Sequence, residues 1–287
     1  MAILVTGATG TIGRHLVRRV GDDVIAFVRD KAKGHALGCR YVVGAFTDHD
    51  SLARAMRGVD RVFLNGAGAV PGEQPMIPHQ RAVIDAAAEA GVEHVVKLSV
   101  WHARIGGKLA EGAHGVIEEY LKASGLPWTI LQPNGFMQNY STGTAVATEG
   151  GHLIGSYGDS RVSYVDCEDI AASAAAVLAN PQPDRTFVLT GPEALTHSEI
   201  ADKLSTVVGR EIRYIDLPPT EFANRLTAAG LPAPFAADVA ALFAEVATGK
   251  LAPTTSDVAT LTSHSPRTFD DFLRTNTESI KEAWSKA

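Results

Sequence analysis

Three glycines, Gly7, Gly10 and Gly13, recur at intervals of three between a short apolar run and an amphipathic one. Residues of this type at this spacing offer backbone N–H groups to an oxyanion. Gly7 permits a tight turn, Gly10 lets the main chain approach a phosphate, and Gly13 lets the following helix pack closely. The free N–H groups and positive end of that helix, with Thr9, Thr11 and Ile12 in the same turn, face the bound group. Strand, glycine turn and helix start together are the architecture that binds a dinucleotide pyrophosphate. A tight turn without a ligand is the bland alternative.

Arg29 stands at the carboxyl end of the next apolar run and Lys33 one helical turn further on. An acidic residue there would bond the ribose hydroxyls of NAD, whereas Arg pairs with the 2′-phosphate of NADP. The expectation is therefore NADP(H) over NAD. Asp30 could take the ribose role if the turn shifts by one residue, and the whole segment could be a solvated turn. Asn65, Gly66 and Ala67 form a small-residue loop suited to the adenine and ribose side.

Alternating elements position these residues. The pattern predicts strands at Ala2–Thr6, Asp23–Arg29, Arg40–Val43, Val59–Asn65, Glu93–Ser99 and Trp128–Gln132. Helices lie between them, at Thr11–Val20, Asp50–Arg57, Ile77–Ala90 and His114–Ser124. Alternation of this kind makes an α/β, doubly wound parallel sheet of Rossmann type, with ligands outside the carboxyl ends of its strands. That edge collects the glycine turn, Arg29, Asn65–Gly68, Ser99–His102 and Gln132–Asn139. The pattern loosens from Gly135, and Gly143–Gly158 is rich in glycine, threonine and serine. Residues 1–140 are expected to form the nucleotide-binding domain and 141–287 a smaller lobe. A strand near 185–190 is expected to rejoin the first sheet. Thr196-His-Ser-Glu199 is a capping box opening a helix to Val208.

The 287 residues carry a net charge of −6 with scattered basic side chains, which argues against a nucleic-acid partner. Two cysteines make no disulfide framework. No apolar stretch approaches the ~20 residues that span a bilayer. The chain opens directly on its first strand, without the basic region of a signal peptide, so a cytoplasmic protein is expected. The ten histidines show no paired metal-ligand spacing, and no metal is expected.

Four stretches together carry a resemblance: Val5–Arg14, Gly91–Ser99, His114–Pro133 and Phe136-Met-Gln-Asn139. They resemble the NmrA-like, atypical short-chain dehydrogenase/reductases. Ala229–Phe235, Thr248-Gly-Lys250 and Thr255-Ser-Asp257 look like the branch of triphenylmethane reductase and type-2 quinone oxidoreductases. The resemblance implies a Rossmann domain with a small α/β C-terminal lobe, NADPH as cofactor, and substrate in the cleft between the lobes. It also implies that the glycine loop holds the pyrophosphate and Arg29 the 2′-phosphate. Pro133, in the same stretch, is expected among the cofactor-binding residues. Two departures stand out: Gln132 replaces the usual Arg before that proline, and Ala45 replaces the usual Asp after the third strand.

Ordinary members of the wider superfamily use Tyr-x-x-x-Lys as acid/base and ribose anchor. Each of the six tyrosines is followed four residues later by something other than lysine. What remains is hydride delivery to an acceptor needing little proton assistance, such as a quinone, a conjugated enone or a cationic dye, with catalysis mostly by positioning. His114 could hold the ribose or donate a proton, or be a structural helix histidine. Ser99 could act at the same place or merely end a strand, and His102 has weaker support still. Trp101, Phe136, Met137, Tyr140 and Tyr164 are candidate walls of an apolar pocket for a small-molecule electrophile, or interlobe core. A monomer or a homodimer is compatible with the chain. The competing reading is an NmrA-type dinucleotide-sensing regulator without turnover.

Overall fold

The structure, a computed structural model, describes residues 1–66, 75–142 and 148–285. Two compact units emerge. The first comprises Met1–Pro133, Cys167–Leu189 and Asp257–His264; the second comprises Asn134–Asp166, Thr190–Ser256 and Ser265–Ala287. The expected break at 140 thus falls instead after Pro133. It is also crossed four more times, because the chain returns twice to complete the first unit.

The first unit is built on β1 (Ile3–Val5), β2 (Val24–Val28), β3 (Arg40–Val43), β4 (Arg61–Leu64), β5 (His94–Leu98) and β6 (Trp128–Pro133). A seventh strand, Arg185–Leu189, pairs with β6 in parallel. Across the sheet the order is Arg185–Leu189, β6, β5, β4, β1, β2, β3, and every pairing is parallel. The direction of winding reverses at β1, which lies between β2 and β4, and a crevice opens beyond the carboxyl ends of strands at such a switch point. Burial on both faces explains why β1 and β5 are continuously buried.

The helices are α1 (Thr11–Val20), α2 (Lys31–His35), α3 (His49–Ala55), α4 (Met76–Glu89) and α5 (Leu109–Ala123). On one face α3, α4 and α5 pack in sequence, burying Leu52, Val83, Ile84, Ile117 and Leu121 against Leu4, Val62 and Leu64 of the sheet. Each such side chain contributes about 1.5–3 kcal/mol of transfer free energy. On the other, α1 packs against the helix Cys167–Ala179.

Helix α5 begins five residues before the expected His114. Gly106, Gly107, Gly112 and Gly115 give this stretch the low helix propensity of a loop. Two of these glycines answer to tertiary packing. A Cβ at Gly112 would sit 2.2 Å from the Gly107 carbonyl oxygen, and one at Gly115 would sit 2.2 Å from the Arg104 carbonyl carbon. They let the segment after β5 lie flush on the helix.

In the second unit, His152–Gly155 pairs in parallel with Tyr214–Asp216 and antiparallel with Thr148–Glu149. This strand lies within the glycine- and threonine-rich stretch; one partner is its neighbour in sequence, and the other comes from about 60 positions away, a pairing that local sequence does not reveal. The capping box forms, with Thr196 Oγ1 accepting from the Glu199 N–H at 3.1 Å and Glu199 Oε2 from the Thr196 N–H at 2.8 Å. Phe269, Phe272, Ile280 and Trp284 centre its core. No described helix is long and apolar enough to cross a membrane.

Candidate functional site

The turn after β1 is held by a backbone hydrogen bond and by Arg14 Nε, which donates to the Thr9 carbonyl at 2.9 Å. Gly7 adopts φ +64°, and its carbonyl accepts the Gly10 N–H at 3.0 Å. A Cβ at Gly13 would stand 2.2 Å from that same carbonyl oxygen and 2.7 Å from Ala8 Cα, so only glycine lets α1 start so close to the turn. Gly10 is the N-cap of α1 and supplies no side-chain acceptor, and the first turn holds no acidic residue. The opening N–H groups of a ten-residue helix are thus left to an external anion.

Beside the turn lies a cavity of about 460 Å³, lined by Gly7, Thr9, Phe27, Val28, Arg29, Ala45, Phe46, Thr47, Gly66, Pro75, Met76, His79 and Gln80. It sits at the switch point, off the ends of β1, β2, β3 and β4. Phe46 stacks on Phe27 with centroids 5.6 Å apart and meets His79 at 5.8 Å, giving the cavity an aromatic wall. Arg29 is exposed at the end of β2 and pairs with no carboxylate among the described residues. Asp30, by contrast, is already employed: its Oδ1 accepts the Lys33 N–H at 2.9 Å as the cap of α2. That backbone hydrogen bond holds its carboxyl below the ordinary value. Lys33 is exposed on α2 and contributes nothing to the cavity lining.

Asn65 lies beneath the glycine turn. Its N–H donates to Thr6 Oγ1 at 2.8 Å, its Oδ1 accepts the Gly66 N–H at 2.8 Å, and its amide approaches Gly7. Ala67 is outside the described residues. An uncapped helix start, an aromatic-walled cavity and an unpaired guanidinium at its mouth suit the diphosphate, adenine and 2′-phosphate of a dinucleotide.

A second cluster forms where β5, β6 and α5 meet. Lys97, wholly buried on β5, places Nζ 2.8 Å from His114 Nδ1 and also donates to the Leu98 carbonyl. Burial pushes its ammonium down to about 7, against the opposing pull of the Glu118 charge. Burial and then the Lys97 charge hold His114 well below the usual imidazole range. The Ser99 hydroxyl donates to Glu118 Oε1, and Gln132 Nε2 donates to both Glu118 oxygens at 2.9 and 3.2 Å. Gln132, where the resemblance leads one to expect arginine, thus still serves the carboxylate through two contacts. The Pro133 carbonyl accepts the Trp101 N–H at 3.0 Å. Trp101 stacks on His102 at 4.7 Å, and His102 takes a left-handed φ of +61°.

The structure therefore gathers Gly7, Thr9, Gly10, Thr11, Ile12, Gly13, Arg29, Asn65 and Gly66 at one end of the sheet edge. It gathers Ser99, Trp101, His114 and Pro133 further along that edge. Of the candidate pocket walls, Met137, Tyr140 and Tyr164 are 1%, 2% and 9% exposed in the core of the second unit. There Tyr140 packs edge-on against Tyr164 and Phe269, its carbonyl accepts Trp284 Nε1–H, and Tyr164 meets His197 Nε2 at 3.0 Å. Phe136 is half-buried in the same unit. Sequence reasoning passed over Phe46, His79, Gln80, Lys97 and Glu118. The carboxyl-end position of Phe46 could have signalled its role, but Lys97 sits in a strand that reads as plain core.

The profile of the NmrA-like family matches residues 1–273. An NAD(P)H azoreductase from Xenophilus azovorans is 33% identical over 284 residues, covering 95% of this chain and 96% of the relative. An NADPH-dependent quinone oxidoreductase from Escherichia coli, solved with NADPH, superposes with a TM-score of 0.82 at 28% identity, over 95% of this chain and 99% of that one. Triphenylmethane reductase from Citrobacter sp., solved with NADP(H), gives 0.80 at 25% identity, over 98% and 100%.

Proposed function

The chain belongs to the NmrA-like family, and from that membership and the cradle at the switch point we propose that it reduces quinone-like or other conjugated aromatic electrophiles with NADPH. It is an NADPH-dependent oxidoreductase, as its azoreductase and quinone reductase relatives are by name. The observation that carries the reading is the pairing of an uncapped α1 with an unpaired Arg29 on one aromatic-walled cavity. The N–H groups of Thr11, Ile12 and Gly13 bind the diphosphate, and Arg29 takes the 2′-phosphate with charge-assisted hydrogen bonds. Phe46 and His79 flank the adenine, while Asn65 and Gly66 shape the ribose side.

When bound, reduced nicotinamide supplies the hydride, and the protein's task is orientation and control of the proton. The Ser99 hydrogen is committed to Glu118, which leaves that hydroxyl as an acceptor. His114 Nε2 makes no hydrogen bond among the described residues and is the ring nitrogen available to a reduced acceptor. Trp101, half-exposed at the same edge, offers a flat apolar surface for an aromatic acceptor.

The test is optical: NADPH consumption by the purified protein against quinones, azo dyes and triphenylmethane dyes, with NADH in parallel. Acceptor-dependent turnover that prefers NADPH is expected. Tight NADPH binding with no acceptor reduced would overturn the reductase reading in favour of a dinucleotide sensor.

A further inference from the structure

We propose that Lys97 is a positioning residue that fixes His114 as its Nε2–H tautomer and supplies a proton to Nδ1 when Nε2 gives up its hydrogen. The inference rests on the reductase reading for its catalytic use, but the tautomer it assigns is a property of the resting protein.

The argument begins with donor count. An ammonium has hydrogens and no lone pair, so every hydrogen bond it makes is a donation. Lys97 Nζ lies 2.8 Å from His114 Nδ1. While Lys97 is protonated, that nitrogen offers a lone pair, and the single hydrogen of the neutral imidazole resides on Nε2. A charged imidazole is disfavoured twice, by burial and by the neighbouring cation. A lysine in a strand interior with no solvent contact is costly unless compensated. The compensation comes from the Leu98 carbonyl, His114 and the Glu118 charge. Glu118 is itself fixed by Ser99 and Gln132 and faces Lys122 at 4.0 Å, while Glu111, about one turn before His114 on α5, pairs with Arg104 from the segment ahead of the helix.

The proton path balances. Hydride addition leaves an anionic acceptor, which takes the hydrogen from His114 Nε2. Nδ1 takes a proton from Lys97 Nζ, leaving neutral lysine and the Nδ1–H imidazole. A solvent proton, delivered by hydronium or a buffer acid, then reaches Nε2 as Nδ1 returns its hydrogen to Nζ, so the net proton donor is bulk solvent. The Tyr-x-x-x-Lys pair places its lysine on a helix; here the lysine comes from β5 and acts through a histidine.

The experiment is long-range ¹H–¹⁵N correlation on histidine-labelled full-length protein, comparing wild type with Lys97→Met and Lys97→Gln. In wild type below pH 7, His114 is expected to show a bare Nδ1 and a protonated Nε2. Lys97→Met should let Nδ1 gain a proton and raise the His114 pKa. Lys97→Gln, a neutral donor, should preserve more of the Nε2–H form. In turnover, Lys97→Met should lower kcat at least 10-fold with NADPH affinity within 2-fold of wild type, and should erase the inflection near neutral pH. A protonated Nδ1 in wild type below pH 7 would overturn the proposal, and so would a tautomer indifferent to wild-type titration between pH 6 and 8.5. That titration needs no variant to fold. A wild type that shows the assigned tautomer yet reduces no acceptor would refute the reductase reading and leave the tautomer assignment intact.

Discussion

Removing the Arg29 guanidinium isolates one contact with a calculable worth. Two unit charges 4 Å apart interact by about 1 kcal/mol in water and about 4 kcal/mol at an effective dielectric of 20. Arg29 is exposed, so the lower limit applies, and a 2′-phosphate carries close to two charges at neutral pH. Arg29→Ala should therefore weaken NADPH binding by about 2 kcal/mol, or about 30-fold. NADH has no 2′-phosphate and should bind as before, within about 2-fold. Titration calorimetry with both nucleotides gives the double difference directly. Raising salt from about 0.05 to 0.5 M should shrink the wild-type preference for NADPH and leave the variant flat, because exposed charges are screened. Equal losses for NADPH and NADH would show that Arg29 supports the turn and not the phosphate. An unchanged NADPH affinity would refute the placement of the 2′-phosphate at β2.

Other consequences can be checked alongside. Gly13→Ala forces a Cβ to within 2.2 Å of the Gly7 carbonyl oxygen; it should cost about 1–3 kcal/mol in thermal or urea unfolding and abolish stabilisation by added NADPH. Asp30→Ser keeps the α2 cap and should leave NADH and NADPH affinities unchanged, whereas a loss confined to ribose binding would restore Asp30 as a ligand. His94 and His197 are both pushed down to about 4, chiefly by burial. Folded pKa values below the unfolded 6.5 mean that the stability they contribute is present above pH 6.5 and lost as pH falls toward 4, on the order of 2 kcal/mol per imidazole. Urea midpoints should fall across that window, and the double variant His94→Gln/His197→Gln should flatten the fall.

Legibility from sequence followed the range of the interactions. The glycine turn could be read at once, because its constraint is local: a backbone reversal, a missing Cβ and a helix start within seven residues. The parallel sheet was readable because β1, β2, β4, β5 and β6 are apolar runs in regular alternation with amphipathic segments. Arg29 was readable because the end of β2 is a fixed distance along the chain from the glycines.

Tertiary structure decided the rest. Gly112 and Gly115 look like helix breakers, yet they extend α5 by letting residues 104–107 rest on it. The strand Arg185–Leu189 was expected to rejoin the first sheet, but the return of Asp257–His264 to that unit was not legible, since Val188, whose N–H donates to Asp257 Oδ2, lies 69 residues back along the chain. Met137, Tyr140 and Tyr164 share an aromatic composition with a binding pocket, and only packing against Phe269 and Trp284 makes them core. Lys97 is the clearest case. Its neighbours in sequence are Val96 and Leu98, and nothing in that run distinguishes a buried proton carrier from a surface lysine. Its chemistry exists because β5 and α5 meet with Nζ 2.8 Å from an imidazole nitrogen seventeen residues away.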